Sequence, residues 1–334
     1  MSRILVPAFD AEPLCITGRH RKSGKLLLVL PLVRRRKHGV RIVEYADFGV
    51  TDYCAPVIHK NYADRLAASV GVAAQIRRLI GRHDILRFKA VRPEHAPFIH
   101  HLTGLEPINS GTFAHELPLN ISFEDIRKTK YSPKHRQNVN AAKRRLSKLQ
   151  GARIERISSG EEAASAIAEL RRLRSGRFPG DPIADEAVCR FYQEIARLGA
   201  ADGFGLTHRI SNEQDPVAIG FGITHAGRYH GILIGCDYTR YSKCAPGIIM
   251  YEEILADWHE AGGSVLDFNV GDSSYKQRFG TEAVPIVNFD NANTLSGRIA
   301  TQALAVRRRL NHVHPNLLSR RQAVPSRNTM RKSA

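Results

Sequence analysis

Cysteine is scarce and scattered in this chain. The five cysteines are odd in number and include no C-x-x-C pair. A disulfide framework and a structural zinc site both need cysteines at short, paired spacing, so both are disfavoured. The histidines have no metal-ligand spacing, and neither a G-x-S-x-G elbow nor a P-loop occurs. We therefore expect no metal cofactor, and neither a metalloenzyme nor a nucleophile-triad hydrolase.

Long hydrophobic runs are also missing. The longest, residues 26–33, has eight residues and contains a proline. A membrane-spanning helix needs roughly 20 apolar residues. The first ten residues lack the pattern of a secretory signal. We expect a cytoplasmic protein, in which 43% hydrophobic content over 334 residues provides for two ordinary domains.

Acidic residues are absent from two stretches that carry much of the net charge of +18. Residues 126–154 contain no Asp or Glu, and nine Lys and Arg residues lie within residues 127–148. Residues 291–334 contain another nine and again no acid. Such segments attract nucleic acid, anionic lipid or phosphorylated small molecules such as coenzyme A. The alternative is that both are solvated basic surfaces, with at most weak nucleic-acid or anionic-membrane contact through the tail.

The first 125 residues alternate between strand and helix patterns, which is typical of an α/β domain. The segments with strand character are residues 25–34, 39–46, 84–90 and 112–117. Residues 62–80 have apolar side chains at helical spacing. Residues 126–150 follow as a basic connecting segment, whose main helix begins at Ser132-Pro133 and ends before Gly151.

Residues 151–294 give the clearest order of elements: strand, helix, helix, three antiparallel strands, helix, strand, helix, strand. These elements are predicted at residues 152–158, 160–174, 185–198, 205–210, 217–225, 229–237, 248–260, 264–269, 275–279 and 285–290. Residues 295–334 form a basic tail that we expect to be partly disordered. The pattern predicts a mixed α/β (α+β) fold.

Three local motifs lie close together in the second half. A strand ends in Gly235-Cys236-Asp237, a helix opens with Ala245-Pro246-Gly247, and residues 267–276 read DFNVGDSSYK. With the order of elements, these motifs resemble the CelD/FemAB-like branch of the GNAT acyltransferase superfamily. The basic stretch at residues 131–149 and the pair Asp52-Tyr53 are similar to the same branch, so the resemblance covers most of the chain.

The resemblance implies a GNAT-type mixed sheet flanked by helices, with two GNAT-like halves in tandem. The N-terminal half, residues 1–125, is expected to lack a donor site, and residues 151–294 are the catalytic domain. The implied activity is transfer of an acetyl or longer acyl group from acyl-CoA directly to an amine. The acceptor would be a small-molecule, glycan or peptide amine, in polysaccharide or cell-envelope metabolism, and the enzyme a monomer or homodimer.

Two other functions stay open from the sequence. One is a FemAB-like transferase that uses aminoacyl-tRNA as its donor. The other is a non-catalytic basic protein that binds nucleic acid or an anionic surface. Against the second, no aromatic residues interleave the basic runs, as single-strand binders usually require.

The link between strand and helix at residues 243–248 suits an anionic group. Its small residues let backbone amides approach a ligand, and a helix N-terminus favours a diphosphate such as that of coenzyme A. The segment has one glycine, fewer than the commonest GNAT phosphate loop, R/Q-x-x-G-x-G/A, and Pro246-Gly247 could simply start a helix. The residues expected to bind acyl-CoA are Ile234, Gly235, Lys243, Cys244, Ala245, Pro246, Gly247, Ile248, Asn269 and Lys276.

Acyl transfer to an amine needs a polarised carbonyl, an acceptor for the amine proton and a proton donor for the leaving thiolate. The resemblance implies that the strands at residues 229–237 and 264–269 splay apart around the acyl group. Asp237 and Asp267 are the predicted proton acceptors, and Tyr275 the predicted donor. The residues expected near the acceptor are Arg136, Arg177, His230 and Asp272.

Each of these assignments has a structural alternative. Asp267 could cap a turn, Tyr275 could be the edge of an apolar core, and His230 could be a satisfied strand histidine. Lys276 is expected to bind phosphate or to orient Asp272. The sequence alone does not separate these roles.

Overall fold

The structure is a computed structural model that describes residues 3–213 and 215–303. In this part of the chain, twelve strands form one mixed sheet. The strands are β1 (Glu12–Arg19), β2 (Leu26–Lys37), β3 (Val40–Tyr45), β4 (Val57–Ile58), β5 (Ile85–Val91), β6 (Ile108–Pro118), β7 (Ala152–Ile157), β8 (Gly205–Asn212), β9 (Asp215–His225), β10 (Arg228–Cys236), β11 (Val265–Val270) and β12 (Glu282–Ala292). They pair in the order β1-β2-β3-β5-β12-β6-β11-β10-β9-β8-β7, with β4 on β2.

Helices cover the sheet, as the predicted fold class requires. They are α1 (Leu5–Ala8), α2 (Ala63–Ala67), α3 (Val70–Ile80), α4 (Ala96–Thr103), α5 (Phe123–Thr129), α6 (Pro133–Leu146), α7 (Gly160–Arg174), α8 (Glu186–Asp202), α9 (Tyr238–Tyr241), α10 (Pro246–Glu260) and α11 (Ser274–Arg278). The pairs β3–β5 and β10–β11 are parallel and the others antiparallel. The prediction of a mixed sheet flanked by helices is therefore confirmed.

Local sequence explains the ends of several elements. The β9–β10 hairpin turns through Ala226 and Gly227, both at positive φ (49° and 77°), as a two-residue turn that follows the twist of its strands requires. Helix α6 begins at Pro133, and the Ser132 side chain accepts a hydrogen bond from a first-turn backbone N–H. In the same way, the Asp185 side chain caps α8, which ends at Gly203 in the left-handed region.

Apolar side chains from both faces of the sheet build three main cores. Ile249 and Ile254 of α10 pack with the strands β8–β11 on one face. Ile167 and Leu170 of α7 join α8 on the other face. The first half has its own core, centred on β2, β5 and the helices α3 and α4. Each large side chain that is fully buried contributes roughly 1.5–3 kcal/mol, so these cores fix the sheet that carries the site.

The two predicted halves share this sheet. β12, from the end of the described chain, lies between β5 and β6, and β6 in turn pairs with β11. The division at residues 125, 150 and 294 stays a prediction. Of the predicted tail, residues 295–303 are helical, and residues 304–334 lie outside the described residues.

Every element predicted after residue 151 is present in the predicted order, and the short helix α9 between β10 and α10 was not predicted. The first half differs in detail. Residues 62–80 form two helices instead of one, because Ser69 caps a new helix through a hydrogen bond to the N–H of Val72. The hairpin after β2 turns at His38-Gly39, since the basic residues before it continue the strand. β1, β4, α1 and α4 were not predicted.

Candidate active site

The site lies where β10 and β11 separate. The two strands pair in parallel over three residues each, ending at His230 opposite Asp267. Beyond this point no pairing continues between them, although β10 runs on to Cys236 and β11 to Val270. The predicted splay is therefore confirmed. It opens a gap in the middle of a sheet that is otherwise continuous.

A bulge in β10 coincides with the start of this gap. The pairing of β10 with β9 shifts register between Gly231 and Leu233, so that Ile232 is the extra residue. A bulge bends its strand, frees ladder hydrogen bonds locally and is common beside active sites. The splay and the bulge therefore begin at adjacent residues of β10.

The open edge of β10 directs backbone groups into the gap. The carbonyls of Ile234 and Cys236 accept hydrogen bonds from Arg174 (2.7 Å) and Arg177 (3.3 Å) rather than from β9. In an antiparallel strand the N–H and C=O of one residue point to the same neighbour. The N–H groups of Ile234 and Cys236 consequently also face the gap, where a ligand's oxygen can accept from them.

A cavity of about 480 Å³ fills the gap. Its wall includes eight of the predicted site residues: Arg177, Ile234, Gly235, Gly247, Ile248, Asn269, Tyr275 and Lys276. The structure thus brings together residues from β10, α10, β11 and α11 around one space. This is the dimension and the mixed apolar and polar lining expected of a small-ligand site.

Tyr275 presents a protonated phenol to the cavity. Its hydroxyl lies 3.0 Å from that of Tyr251, and the two rings stack with centroids 5.3 Å apart. Burial raises the pKa of Tyr275 above its ordinary value, although the Tyr251 hydrogen bond acts in the opposite direction. The phenol therefore keeps its proton at neutral pH and can donate it.

Asn269 and Lys276 shape the end of β11. Asn269 is buried in the left-handed region (φ 60°), and its Nδ2 donates to Gly231 O across the gap at 3.0 Å. Its Oδ1 is buried without a hydrogen-bond partner among the described residues, so it is an acceptor aimed at a ligand. The Lys276 ammonium donates to the carbonyls of Asn269 and Val270 at 2.9 and 3.0 Å. These two hydrogen bonds fix the end of β11, and burial lowers the pKa of Lys276.

The first turn of α10 meets the cavity at Gly247 and Ile248. The residue before the helix, Ala245, is in the left-handed region (φ 46°) and provides no side-chain cap. The Tyr238 hydroxyl accepts from the Gly247 N–H, and a Cβ on Gly247 would lie 2.5 Å from it. The helix terminus is thus uncapped as predicted for an anion site, but a tyrosine hydroxyl covers it.

The rest of the predicted anion-binding segment lies outside the cavity wall. The side chain of Lys243 is exposed, and its carbonyl accepts from Arg145 of α6 at 3.0 Å. Cys244 and Pro246 are buried in the protein. Ala245 packs against the core beneath the helix.

Asp267, a predicted proton acceptor, is buried in an ion cluster outside the cavity wall. Its carboxylate faces the Tyr53 hydroxyl at 2.9 Å, Arg92 at 3.0 Å, Arg228 at 3.5 Å, His230 Nδ1 at 3.4 Å and the N–H of Asn269 at 2.7 Å. Glu116 bonds both arginines. Burial acts to raise the pKa of Asp267, but the donors, His230 first, outweigh it and lower the pKa. The geometry favours an anchor of the splay point rather than a base.

Four other predicted residues also lie away from the cavity wall. Asp237 caps α9 and pairs with Arg240 at 2.5 Å. Asp272 contacts His115 at 3.0 Å. Arg136 donates to the carbonyl of Lys128 at the end of α5 (2.7 Å), and His230 belongs to the Asp267 cluster. A satisfied strand histidine was the alternative interpretation of His230, and its contacts favour that interpretation.

Four residues at the cavity to which the structure gives a role were missed by the sequence reasoning. Asp52 comes from the loop after β3, Arg174 ends α7, Tyr238 begins α9, and Tyr251 lies in α10. Arg174 pairs with Asp181 at 2.7 Å while it holds the Ile234 carbonyl. Asp52 had one sequence signal, the Asp52-Tyr53 pair, but no periodicity places that loop beside residues more than 200 positions later.

These groups can together hold a thioester. The bulged edge of β10 supplies N–H donors for a carbonyl oxygen, the Tyr275 phenol can protonate a leaving sulfur, and Asn269 can accept a hydrogen bond. Among the residues that the structure describes, no group of three or more His, Cys, Asp or Glu side chains is arranged to hold a metal. No helix within these residues is both long and apolar enough to cross a membrane.

The fold and the site define a class, the mixed α/β acyltransferases with a splayed central sheet. Residues 133–277 match the family described as acetyltransferase (GNAT) domain. This match, over the predicted basic helix and most of the predicted catalytic domain, supports the predicted resemblance to the GNAT superfamily and to its acyltransferases. Comparison with curated protein sequences gives no match.

Solved structures share the fold across most of the chain. FemX is 12% identical, with a TM-score of 0.59, and the match covers 84% of this chain and 88% of FemX. L-PGS from Bacillus licheniformis is 11% identical, with a TM-score of 0.56 over 91% and 95% of the two chains. The C-terminal domain (DUF2156) of a putative lysylphosphatidylglycerol synthetase from Agrobacterium fabrum is 12% identical, with a TM-score of 0.55 over 88% of each. At this identity the likeness describes the fold alone.

Proposed function

We propose that this protein is an acyl-CoA-dependent N-acyltransferase that transfers an acetyl or longer acyl group directly to an amine. The observation that carries the proposal is the 480 Å³ cavity between β10 and β11, which is bordered by free backbone donors and reaches Tyr275. An extended thioester can lie along the unpaired edge of β10 in place of the missing strand. Preorganised N–H donors at such an edge stabilise the oxyanion as it forms.

Tyr275 is the proposed proton donor to the leaving sulfur. Its phenol lies in the cavity wall and keeps its proton because burial raises its pKa. Tyr251, at 3.0 Å, orients the hydroxyl. Asn269 Oδ1 is the proposed acceptor for an amide N–H of the donor's arm, since it is buried and lacks a partner among the described residues.

The first turn of α10, with Arg177, is the proposed site for the donor's diphosphate. Arg177 stacks on the Tyr238 ring, 4.2 Å from its centroid, and both residues line the cavity. A phosphate oxygen can take the place of the Tyr238 hydroxyl on the Gly247 N–H once that side chain moves aside. The helix dipole and the uncapped terminus favour this exchange.

The acceptor that we propose is an amine on a small molecule, glycan or peptide. An aminoacyl-tRNA donor is the second candidate, and two observations favour it: the fold shared with FemX, and the exposed basic side chains of α6. Binding of RNA distinguishes the two candidate acyl donors, aminoacyl-tRNA and acyl-CoA. An RNA donor should bind in a salt-dependent way through the basic helix, and RNA should then compete with coenzyme A.

Thermal shift with acetyl-CoA and longer acyl-CoA thioesters tests the proposal directly. We expect a rise in Tm that Gly247→Asp removes, because a carboxylate at the second position of α10 repels the diphosphate. Gly247→Asn is the matched control, since it brings the same Cβ against the Tyr238 hydroxyl without the charge. No shift with any acyl-CoA, together with binding of charged tRNA, would reject the acyl-CoA donor in favour of the second candidate.

A further inference from the structure

Asp52 lies where two cavities meet. The first is the 480 Å³ cavity of the candidate active site. The second, of about 150 Å³, is bounded by residues 49–52, by Asp181 and Tyr192, and by Ile232 at the bulge of β10. Asp52, Arg174 and Ile232 line both cavities, and Arg174 is paired there with Asp181. A group in the smaller cavity therefore lies next to both the bulge of β10 and the Asp52 side chain.

Asp52 also differs from the other carboxylates near the site. Within the described residues it has no ion-pair partner, whereas Asp181 pairs with Arg174 at 2.7 Å and Asp237 pairs with Arg240 at 2.5 Å. Its carboxylate accepts a side-chain hydrogen bond from Asn269, but a half-buried charge that no ion pair compensates is still costly to the fold. Groups of this kind are found where a ligand or a proton completes the arrangement.

The surrounding contacts fix Asp52 in place. Just before it, the Val50 carbonyl accepts a hydrogen bond from the Tyr192 hydroxyl at 2.7 Å. Directly after it, the Tyr53 hydroxyl donates to Asp267 at 2.9 Å. The loop is thus tied on one side to α8 and on the other to β11, the strand that forms one wall of the gap. This anchoring holds the carboxylate at a defined position, as proton transfer requires.

We infer that the smaller cavity admits the acceptor as a slim primary amine and that Asp52 takes the proton from its nitrogen. The inference rests on the proposed function. The amine nitrogen forms a bond to the thioester carbonyl carbon, and the C–S bond breaks with its electron pair going to sulfur. Tyr275 gives its proton to that sulfur while Asp52 receives one from nitrogen. Proton exchange from Asp52 back to the Tyr275 phenolate resets the site, so the net change is one proton moved from nitrogen to sulfur.

The groups around Asp52 suit this role. Burial raises its pKa, which makes the carboxylate a stronger base than an exposed one. The charged and polar groups that act on it or face it are Lys276, Asp267, Asn269, His230, Tyr275, Tyr192 and Arg174. Lys276 counters the effect of burial, while Asp267 adds to it. The smaller cavity has apolar walls at Ile183 and Leu233, which suit the chain of an alkyl amine.

The first arm of the test is independent of turnover. Protein labelled with ¹³C at the aspartate carboxyl carbons is titrated with n-butylamine, and the Asp52 resonance is assigned by its absence in Asp52→Asn. We expect a saturable shift of that resonance. A resonance that does not respond to the amine would overturn the inference, whatever the acyl donor is.

The second arm measures turnover with acetyl-CoA and n-butylamine as CoA thiol release. Asp52→Asn should keep the acetyl-CoA thermal shift but lower kcat/KM for the amine by about 100-fold or more, and it should lose the acidic limb of the pH profile. Asp47→Asn, a half-buried carboxyl five residues earlier outside both cavities, should stay within about twofold. An Asp52→Asn enzyme with unchanged kcat/KM and an unchanged limb would contradict the inference. A wild-type protein that shows neither a thermal shift nor thiol release would instead count against the proposed function, and the first arm would still decide on Asp52.

Discussion

Arg92 Nη1 lies 3.0 Å from Asp267 Oδ2, although the two residues are 175 positions apart. Their side chains are 7% and 0% exposed, so this is a buried ion pair. Arg92 follows β5 in the first half of the chain, and Asp267 sits at the last paired position of β11 before the gap opens. Glu116 and Arg228 complete the cluster from β6 and β10. Charged side chains in or next to four strands thus stabilise the point where β10 and β11 separate.

Asp267→Asn should therefore act mainly on stability. Removing one partner of a buried ion pair leaves the others uncompensated, which costs about 3–5 kcal/mol. We expect the free energy of unfolding in urea to fall by this amount. Asp237→Asn keeps a side chain that can cap α9 and loses only a partly exposed ion pair with Arg240, so it should cost less than about 1 kcal/mol. An Asp267→Asn protein of normal stability that loses activity and the acidic limb of its pH profile would instead identify Asp267 as the base.

Tyr275→Phe should lower kcat by about 100-fold, because the leaving thiolate loses its proton donor. The loss should shrink for an acyl thioester of an aromatic thiol, whose sulfur leaves without protonation. The check is CoA thiol release compared with release of the aromatic thiol. Tyr251→Phe, which removes the 3.0 Å partner but keeps the phenol of Tyr275, should lose less than about tenfold. Equal losses with both thiols would contradict the role of Tyr275 as proton donor.

Sequence patterns predicted much of the second half because its elements are joined by short turns and have regular apolar spacing. In the first half, β1 reads EPLCITGR, with a proline and little alternation, and it is an edge strand of the sheet. Helix α4 is short and carries two adjacent histidines beside its buried Phe98, Ile99 and Leu102. Its periodicity is too brief to separate it from a loop.

The candidate site was likewise predicted only in part. The motif residues Gly247, Asn269 and Tyr275 were found because their positions follow from strand and helix ends close together in sequence. Which carboxylates have hydrogen-bond donors or cations as partners was not predictable. These partners depend on contacts such as Tyr53–Asp267, across 214 positions. Asp237 and Asp267, the two predicted bases, both end neighbouring strands, so the sequence does not distinguish them. In the structure five donors surround Asp267, whereas Asp52, in a loop without periodicity, lines the cavity.

Gly247→Ala should reveal the contact between α10 and Tyr238. A Cβ at this position would lie 2.5 Å from the Tyr238 hydroxyl, so the ring must move, and such overpacking costs typically about 1–3 kcal/mol. In a Tyr238→Ala background the same substitution should cost little, which a double-mutant cycle of unfolding free energies measures. Additive effects would mean that the tyrosine does not cover the helix terminus in solution.

His135 should make stability depend on pH. Its ring packs against Tyr131 and Phe279, and neither ring nitrogen has a hydrogen-bond partner among the described residues. Burial, helped by Arg278, lowers the pKa of His135 from 6.5 to about 4. Between these values the unfolded chain binds a proton that the folded protein does not, so stability falls as the pH drops through this range. The full difference amounts to roughly 3 kcal/mol.

His135→Phe removes this titration while keeping an aromatic ring in the same core. We expect the variant to match or exceed the wild type at pH 5 and to differ from it least above pH 7, where the wild-type histidine is neutral in both states. Urea unfolding at several pH values measures the difference between the two curves, in which the carboxylates that titrate in both proteins cancel. Parallel curves from pH 7 to pH 4 would show that the ring is hydrated and protonates freely, and the packing of α6 on Phe279 would then be looser than the structure describes. A widening difference toward low pH supports the dry, neutral histidine, because desolvation of its charged form is what separates the two curves.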